Sequence, residues 1–106
     1  MKVAIIGLGY VGLPLWIGFS KRGIQSIGID SDEQKIISIN DGKSYISHID
    51  SKEIKSATNV AESFATSDIS EISACDAVII CVPTPIDAFN QPDLKYIKKV
   101  VKDILD

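Results

Sequence analysis

Three glycines near the N-terminus, Gly7, Gly9 and Gly12, have the spacing G-x-G-x-x-G. Glycine at the first position permits a tight turn after a strand, and at the second it lets a pyrophosphate approach the backbone. At the third position it lets the next helix lie close to the sheet, with its free N–H groups and positive dipole end available to phosphates. The motif therefore predicts a nucleotide-binding loop, and a turn without a ligand is the alternative.

An acidic residue, Asp30, follows the second predicted strand and lies 18 residues after Gly12. A carboxylate at this place accepts hydrogen bonds from ribose hydroxyls and repels a 2′-phosphate, which favours NAD over NADP. The spacing alone also permits FAD or S-adenosylmethionine. It further permits the alternative that Asp30 only caps the next helix.

The other chemically capable side chains form neither a catalytic nor a metal-binding pattern. Cys75 and Cys81 have no base nearby in sequence, and we interpret both as small apolar fillers. His48 has no partner at metal-ligand spacing, so we expect it to lie at the surface or to anchor its loop. We interpret Trp16 and Tyr45 as packing residues. The sequence therefore predicts no catalytic residue and no metal site.

Strands and helices alternate along the chain and would position these residues. Short apolar runs predict strands at residues 2–6, 26–29, 64–66 and 77–82. Helical or turn patterns occupy residues 11–22, 31–40, a segment from 50, 68–73 and 92–104. In the first helix, Val11, Leu15 and Phe19 predict the buried face, and Gly23 predicts its end. In the second helix, Ser31 is the predicted cap.

This order of elements predicts an α/β protein with a Rossmann-type, doubly wound parallel sheet that is truncated before the far strands. The 106 residues suffice for one domain, and we assign residues 1–106 to a partial N-terminal dinucleotide-binding domain.

Composition restricts the partners and the compartment. The net charge is −3 and no basic block occurs, so nucleic acid is not the expected partner. No apolar run approaches the roughly 20 residues that a membrane span needs, and no signal peptide is recognisable. Because only two cysteines are present, a disulfide framework is not expected and a cytoplasmic location is favoured.

Three segments together carry a family resemblance. They are Gly7-Leu8-Gly9-Tyr10-Val11-Gly12-Leu13-Pro14-Leu15, then Gly28-Ile29-Asp30 with Lys35, then Cys81-Val82-Pro83-Thr84-Pro85. In this order they resemble the N-terminal NAD-binding domain of the UDP-glucose/GDP-mannose dehydrogenase family, over nearly the whole chain. The resemblance implies a nucleotide-sugar 6-dehydrogenase, which oxidises the C6 alcohol of an activated hexose to a carboxylate with two NAD per sugar. Such products suggest precursors of surface polysaccharides.

The resemblance also implies roles for individual residues. The backbone of Gly9, Tyr10 and Val11 would contact the pyrophosphate, Asp30 and Lys35 would hold the adenosine ribose, and Thr84 would lie near the cofactor. The implied cofactor-binding set is Gly7, Gly9, Tyr10, Val11, Gly12, Asp30, Lys35, Val82, Pro83 and Thr84. The loop over residues 42–49 is similar to members that act on UDP-N-acetylhexosamines. Trp16 replaces a smaller residue of the family, which puts the packing of the first helix in question.

The catalytic cysteine and lysine of this family belong to a later domain, and no residue of this chain matches them. The resemblance therefore implies that these 106 residues alone are inactive, and that the full-length enzyme acts on a UDP-sugar as a homo-oligomer. Two alternatives remain at this point. One is a fragment of another NAD-dependent dehydrogenase, acting on hydroxy acids. The other is a non-catalytic module that senses NAD or ATP.

Overall fold

A single parallel sheet organises the protein, whose computed structural model describes residues 1–81 and residue 102. Its strands are β1 (Lys2–Ile6), β2 (Gln25–Ile29), β3 (Phe64–Thr66) and β4 (Ala77–Ile80), in the spatial order β3-β2-β1-β4. The connecting helices are α1 (Gly12–Lys21), α2 (Glu33–Asn40), α3 (Ser51–Ala61) and a 3₁₀ turn (Ile69–Ala74). This order, with β1 inside the sheet, is that of a doubly wound nucleotide-binding fold. The predicted fold class is therefore confirmed, while the helix predicted at 92–104 lies outside the described residues.

The register of the sheet aligns the carboxyl ends of three strands. Ile6 pairs with Ile29 on one side and with Ile80 on the other. The N–H of Gly7 then donates to the carbonyl of Ile29, and the N–H of Cys81 donates to the carbonyl of Ile6, each at 2.7 Å. The residues that follow β1, β2 and β4 consequently lie side by side at one edge. Ligands bind at this edge in open α/β sheets.

Both faces of β1 and β2 are covered, whereas most residues of β4 are exposed. On one face, buried side chains of β1 and of the three helices form the larger core, which includes Ile5, Leu13, Trp16, Ile39 and Ile54. On the other face, a smaller cluster joins Ala4, Ile6, Ile27 and Ile29. Burial on both sides explains why β1 is an apolar run without alternation. No helix in the described part of the chain is long and apolar enough to cross a membrane.

The buried face of α1 differs from the predicted one. Val11 and Leu15 are exposed, and Phe19 is only partly buried. The buried residues are instead Gly12, Leu13, Trp16, Ile17 and Ser20. The indole N–H of Trp16 donates to the carbonyl of Ser26 at 2.8 Å and to that of Phe64 at 3.3 Å. These bonds fix the rotation of α1 against β2 and β3, so Trp16 is a packing residue that the helix accommodates.

The helix ends follow their capping residues, with one correction. Gly23 has φ 82°, and the hydrogen bonds around it form the expected Schellman motif at the end of α1. Ser31 is not the cap of α2, because the side chain of Asp32 accepts the N–H of Gln34 at 3.0 Å. A carboxylate at this position also complements the positive end of the helix dipole. The side chain of Asp50 caps α3 and accepts the N–H of Lys52 at 2.9 Å.

Candidate functional site

A cleft of about 650 Å³ lies at the carboxyl edge of the sheet. Clefts of a few hundred cubic ångströms or more are typical of small-molecule sites. Its walls come from the turn after β1, the start of α1, the ends of β2 and β4, and the loop between α2 and α3. The lining residues are Gly7, Leu8, Gly9, Tyr10, Val11, Asp30, Lys35, Tyr45, Ile46 and Cys81.

The three glycines of the motif have three different local environments. Gly7 has φ 95°, a backbone conformation that favours glycine, and it makes the turn off β1. A Cβ on Gly9 would meet nothing within 4 Å, whereas one on Gly12 would lie 1.6 Å from the Gly7 carbonyl oxygen. The tight turn and the close approach of the helix are thus confirmed. Gly9 leaves open space in the cleft, and Gly12 does not line the cleft.

The N-terminus of α1 opens at the same place. Its N-cap is Val11, whose side chain makes no capping hydrogen bond. The N–H of Leu13 donates to the carbonyl of Gly9 at 3.1 Å, while the first amides of any helix have no acceptor within the helix. Amide groups and a positive dipole end therefore adjoin the open space at Gly9, an arrangement that suits a phosphate.

Asp30 lines the same cleft, and each of its carboxylate oxygens accepts a backbone hydrogen bond. Its Oδ2 accepts the N–H of Leu8 and its Oδ1 accepts the N–H of Asp32, each at 2.9 Å. The Nζ of Lys35 lies 3.8 Å from Oδ2 of Asp30. Because Asp32 is the cap of α2, the alternative that Asp30 serves as that cap is wrong. Asp30 instead places a carboxylate against the glycine turn.

Tyr45 and Ile46 line the cleft, although sequence reasoning gave neither a place there. The hydroxyl of Tyr45 donates to the carbonyl of Leu8, and Nζ of Lys35 lies 5.9 Å from the centre of its ring. Burial, with smaller contributions from Asp30 and Asp32, raises the pKa of this phenol. The hydroxyl therefore stays a hydrogen-bond donor at neutral pH. A tyrosine in a polar loop carries no periodic signal that could have revealed this contact.

Gly28 is a second residue whose role the sequence did not reveal. A Cβ on Gly28 would lie 2.8 Å from Cδ1 of Leu8. Leu8, in the glycine turn, is completely buried in this space. The glycine in β2 thus lets the turn after β1 pack down onto the neighbouring strand. A glycine inside an apolar strand run is the signal that could have indicated such a close approach.

Cys75, Cys81 and His48 have three different surroundings. Cys81 lines the cleft and is partly buried, and desolvation raises the pKa values of both Cys81 and Cys75. The exposed ring of His48 stacks on Tyr10, with ring centres 6.1 Å apart, in agreement with the expected loop-anchoring role. Among residues 1–81 and 102, no three His, Cys, Asp or Glu residues are placed to hold a metal ion.

Most of the predicted cofactor residues meet in this cleft. Its lining contains six of the ten: Gly7, Gly9, Tyr10, Val11, Asp30 and Lys35. Gly12 does not line the cleft but lies against Gly7, which does. Val82, Pro83 and Thr84 lie outside the described residues. Their assignment to the site stays a prediction.

Comparison with known proteins gives one consistent family. The family model described as "UDP-glucose/GDP-mannose dehydrogenase family, NAD binding domain" matches residues 1–106. UDP-N-acetyl-D-glucosamine 6-dehydrogenase of Pseudomonas aeruginosa is 36% identical over 104 residues, covering 98% of this chain and 24% of that protein. UDP-N-acetyl-D-mannosamine dehydrogenase of Pyrococcus horikoshii is 31% identical over 108 residues, covering 100% of this chain and 25% of that protein.

Solved structures agree with this result. GDP-mannose dehydrogenase from Pseudomonas aeruginosa, solved as a ternary complex, superposes with a TM-score of 0.93 at 34% identity. That match covers 98% of this chain and 24% of the other. UDP-D-ManNAc dehydrogenase from Pyrococcus horikoshii superposes with a TM-score of 0.88 at 31% identity, covering 98% and 25%. This chain spans about a quarter of the length of these relatives.

Proposed function

Because this chain belongs to the UDP-glucose/GDP-mannose dehydrogenase family, as its NAD-binding domain, we propose that the cleft at the carboxyl edge of the sheet holds the ADP part of NAD. The diphosphate lies against the backbone of Gly9, Tyr10 and Val11. The adenosine ribose lies against Asp30, with Lys35 beside it. The observation that carries the proposal is the open space at Gly9 within the same cleft as the Asp30 carboxylate.

The residues present fit this ligand. A Cβ on Gly9 would project into the space that the diphosphate needs, and the amides at the start of α1 complement its charge. Each oxygen of Asp30 accepts one backbone N–H, and a carboxylate oxygen has further lone pairs with which to accept a ribose hydroxyl. A 2′-phosphate beside that carboxylate would be repelled, which favours NAD over NADP.

The activity of the whole protein is inferred from its relatives. We propose that it oxidises the C6 alcohol of a UDP-sugar to a carboxylate. This change removes four electrons, so two NAD⁺ each accept one hydride, and water supplies the second carboxylate oxygen. NAD supplies the hydride acceptor, and the residues of this chain bind and orient it. The names of the two curated relatives described above, and the loop at residues 42–49, favour a UDP-N-acetylhexosamine as the substrate.

This chain supplies the cofactor site and not the catalytic groups. Both described thiols have pKa values raised by desolvation, which disfavours the nucleophilic thiolate. We therefore propose that the 106 residues alone do not oxidise a UDP-sugar. A cytoplasmic location and homo-oligomeric assembly of the whole enzyme complete the proposal, as do cofactor contacts from Val82, Pro83 and Thr84.

Calorimetric titration with NAD and NADP tests the cofactor site, and NADH formation with UDP-sugars tests the activity. We expect the chain to prefer NAD and to form no NADH with UDP-N-acetylglucosamine. Equal or tighter binding of NADP would contradict the role of Asp30. Turnover by the chain alone would contradict the absence of catalytic groups.

A further inference from the structure

Side chains from two other elements hold the backbone of Leu8, the residue between the first two glycines. Its N–H donates to Oδ2 of Asp30 at 2.9 Å, and its carbonyl accepts the hydroxyl of Tyr45. Its side chain is fully buried in the space that Gly28 leaves. The N–H, the carbonyl and the side chain of Leu8 are therefore all held by contacts within the protein.

The Leu8 carbonyl and the Gly9 N–H belong to one peptide group. That group is planar and trans, so its carbonyl and its N–H point in opposite directions. A hydrogen bond that fixes the carbonyl also fixes the direction of the N–H. Tyr45 thereby sets the orientation of the Gly9 amide, which begins the segment proposed to face the diphosphate.

Tyr45 is itself held by its loop. The next residue, Ile46, is buried in the main core. The N–H of Ser44 donates to Oγ of Ser51 at 2.9 Å, and Oγ of Ser44 donates to the carbonyl of Ile46 at 2.8 Å. The first bond joins the loop to the start of α3, and the second lies within the loop. Together they restrict the backbone on both sides of Tyr45.

We propose that Tyr45 is a positioning residue, whose hydroxyl presets the Leu8–Gly9 peptide for the cofactor diphosphate. The inference rests on the proposed function, because it takes the diphosphate to lie at residues 9–11. A turn that is already oriented loses less conformational freedom when the ligand binds, which increases affinity. Tyr45 acts through Leu8, so its effect depends on the diphosphate and not on the adenosine.

Tyr45→Phe tests this, because it keeps the ring and removes the hydroxyl. We expect the Kd values of NAD and of ADP to rise about 3- to 10-fold, the effect of one net hydrogen bond. The Kd of adenosine should change less than about twofold, since adenosine has no phosphate to contact the glycine turn. Thr58→Val is the matched control: Thr58 Oγ1 also donates to a backbone carbonyl, that of Lys55, but on the exposed side of α3. It should leave all three Kd values unchanged.

A measurement on the ligand-free protein separates positioning from general stability. The carbonyl ¹³C resonance of Leu8 should move upfield in Tyr45→Phe, because its hydrogen bond is lost, and should not move in Thr58→Val. Unchanged NAD binding in Tyr45→Phe, or equal losses for NAD and adenosine, would overturn the inference alone. A wild-type protein that binds no NAD would overturn the proposed function, and the inference with it.

Discussion

The side chains that define the cleft act mainly through the backbone of one turn. Asp30 accepts the N–H of Leu8, Tyr45 donates to its carbonyl, and Gly28 leaves room for its side chain. The protein's own contacts thus hold the turn, which lowers the cost of ordering it on binding. The same residue type therefore serves different purposes here, since Gly28 makes room for a side chain and Gly9 leaves open space in the cleft.

Gly9 and Gly12 should respond differently to substitution. Gly9→Val is expected to fold normally, because its Cβ would meet nothing, and to lose NAD binding, because the side chain fills the diphosphate space. Gly12→Ala should lower the free energy of unfolding by about 3 kcal/mol or more, since its Cβ would lie 1.6 Å from the Gly7 oxygen. Urea denaturation and NAD calorimetry check the pair. Tight NAD binding by Gly9→Val would place the diphosphate elsewhere.

Asp30→Ala should weaken NAD binding about 10- to 100-fold, the worth of hydrogen bonds to a charged group. It should also bring the affinities for NAD and NADP closer together, because the repulsion of the 2′-phosphate is removed. Asp30→Asn is the control, since it keeps the size and an acceptor oxygen but lacks the charge. Calorimetry with both nucleotides on all three proteins measures the effect. A constant NAD to NADP ratio would contradict the assignment.

The sequence predicted Asp30 and the glycines because their roles depend on position along the backbone. A carboxylate after β2 and a glycine after β1 come together in any parallel sheet with this order. Tyr45 has no such constraint. Its place in the cleft depends on how the loop after α2 packs onto the core, through Ile46 and Ile49, and neither periodicity nor spacing encodes that packing.

At the scale of elements, α1 shows why one prediction was wrong. The helix carries apolar residues around most of its surface, so a spacing of three to four residues fits more than one buried face. The face containing Trp16 and Ile17 is buried, and the face containing Leu15 is not. Hydrogen bonds from the indole to β2 and β3 distinguish the two faces. These bonds join residues distant in sequence, so helical periodicity could not predict them.

Trp16→Phe should lower the free energy of unfolding by about 2–3 kcal/mol, because it removes the indole hydrogen bonds to the carbonyls of Ser26 and Phe64 and reduces the buried apolar surface. Leu15→Ala on the same helix is the matched control, and we expect a loss below about 1 kcal/mol because Leu15 is exposed. Urea denaturation followed by far-UV circular dichroism measures both. Equal losses of unfolding free energy in the two variants would contradict the burial of the Trp16 face and favour the face that contains Leu15.

At the scale of the whole molecule, the parallel doubly wound sheet could be predicted because strands and helices alternate along the chain. The spatial order β3-β2-β1-β4 is a finding of the structure. The same topology brings the ends of β1, β2 and β4 to one edge, where we propose the cofactor site. The surroundings of the two thiols allow a test of the further proposal that this chain carries no catalytic group.

Alkylation of Cys75 and Cys81 by iodoacetamide should be slower at neutral pH than that of a free cysteine. Their pKa values are raised by desolvation, so the folded protein holds less thiolate until the pH exceeds the ordinary value of about 8.5. The rate should therefore rise at higher pH than for cysteine in a short peptide, and the urea-unfolded chain, which provides the control, should follow the peptide. Because the unfolded chain loses these protons at lower pH than the folded protein, the contribution of the thiols to the free energy of unfolding is fully present below about pH 8.5. It decreases as the pH rises further. Mass spectrometry measures the rate of alkylation at each cysteine. A thiol that reacts faster than the peptide at neutral pH would be an activated nucleophile, and the absence of catalytic groups from this chain would then be wrong.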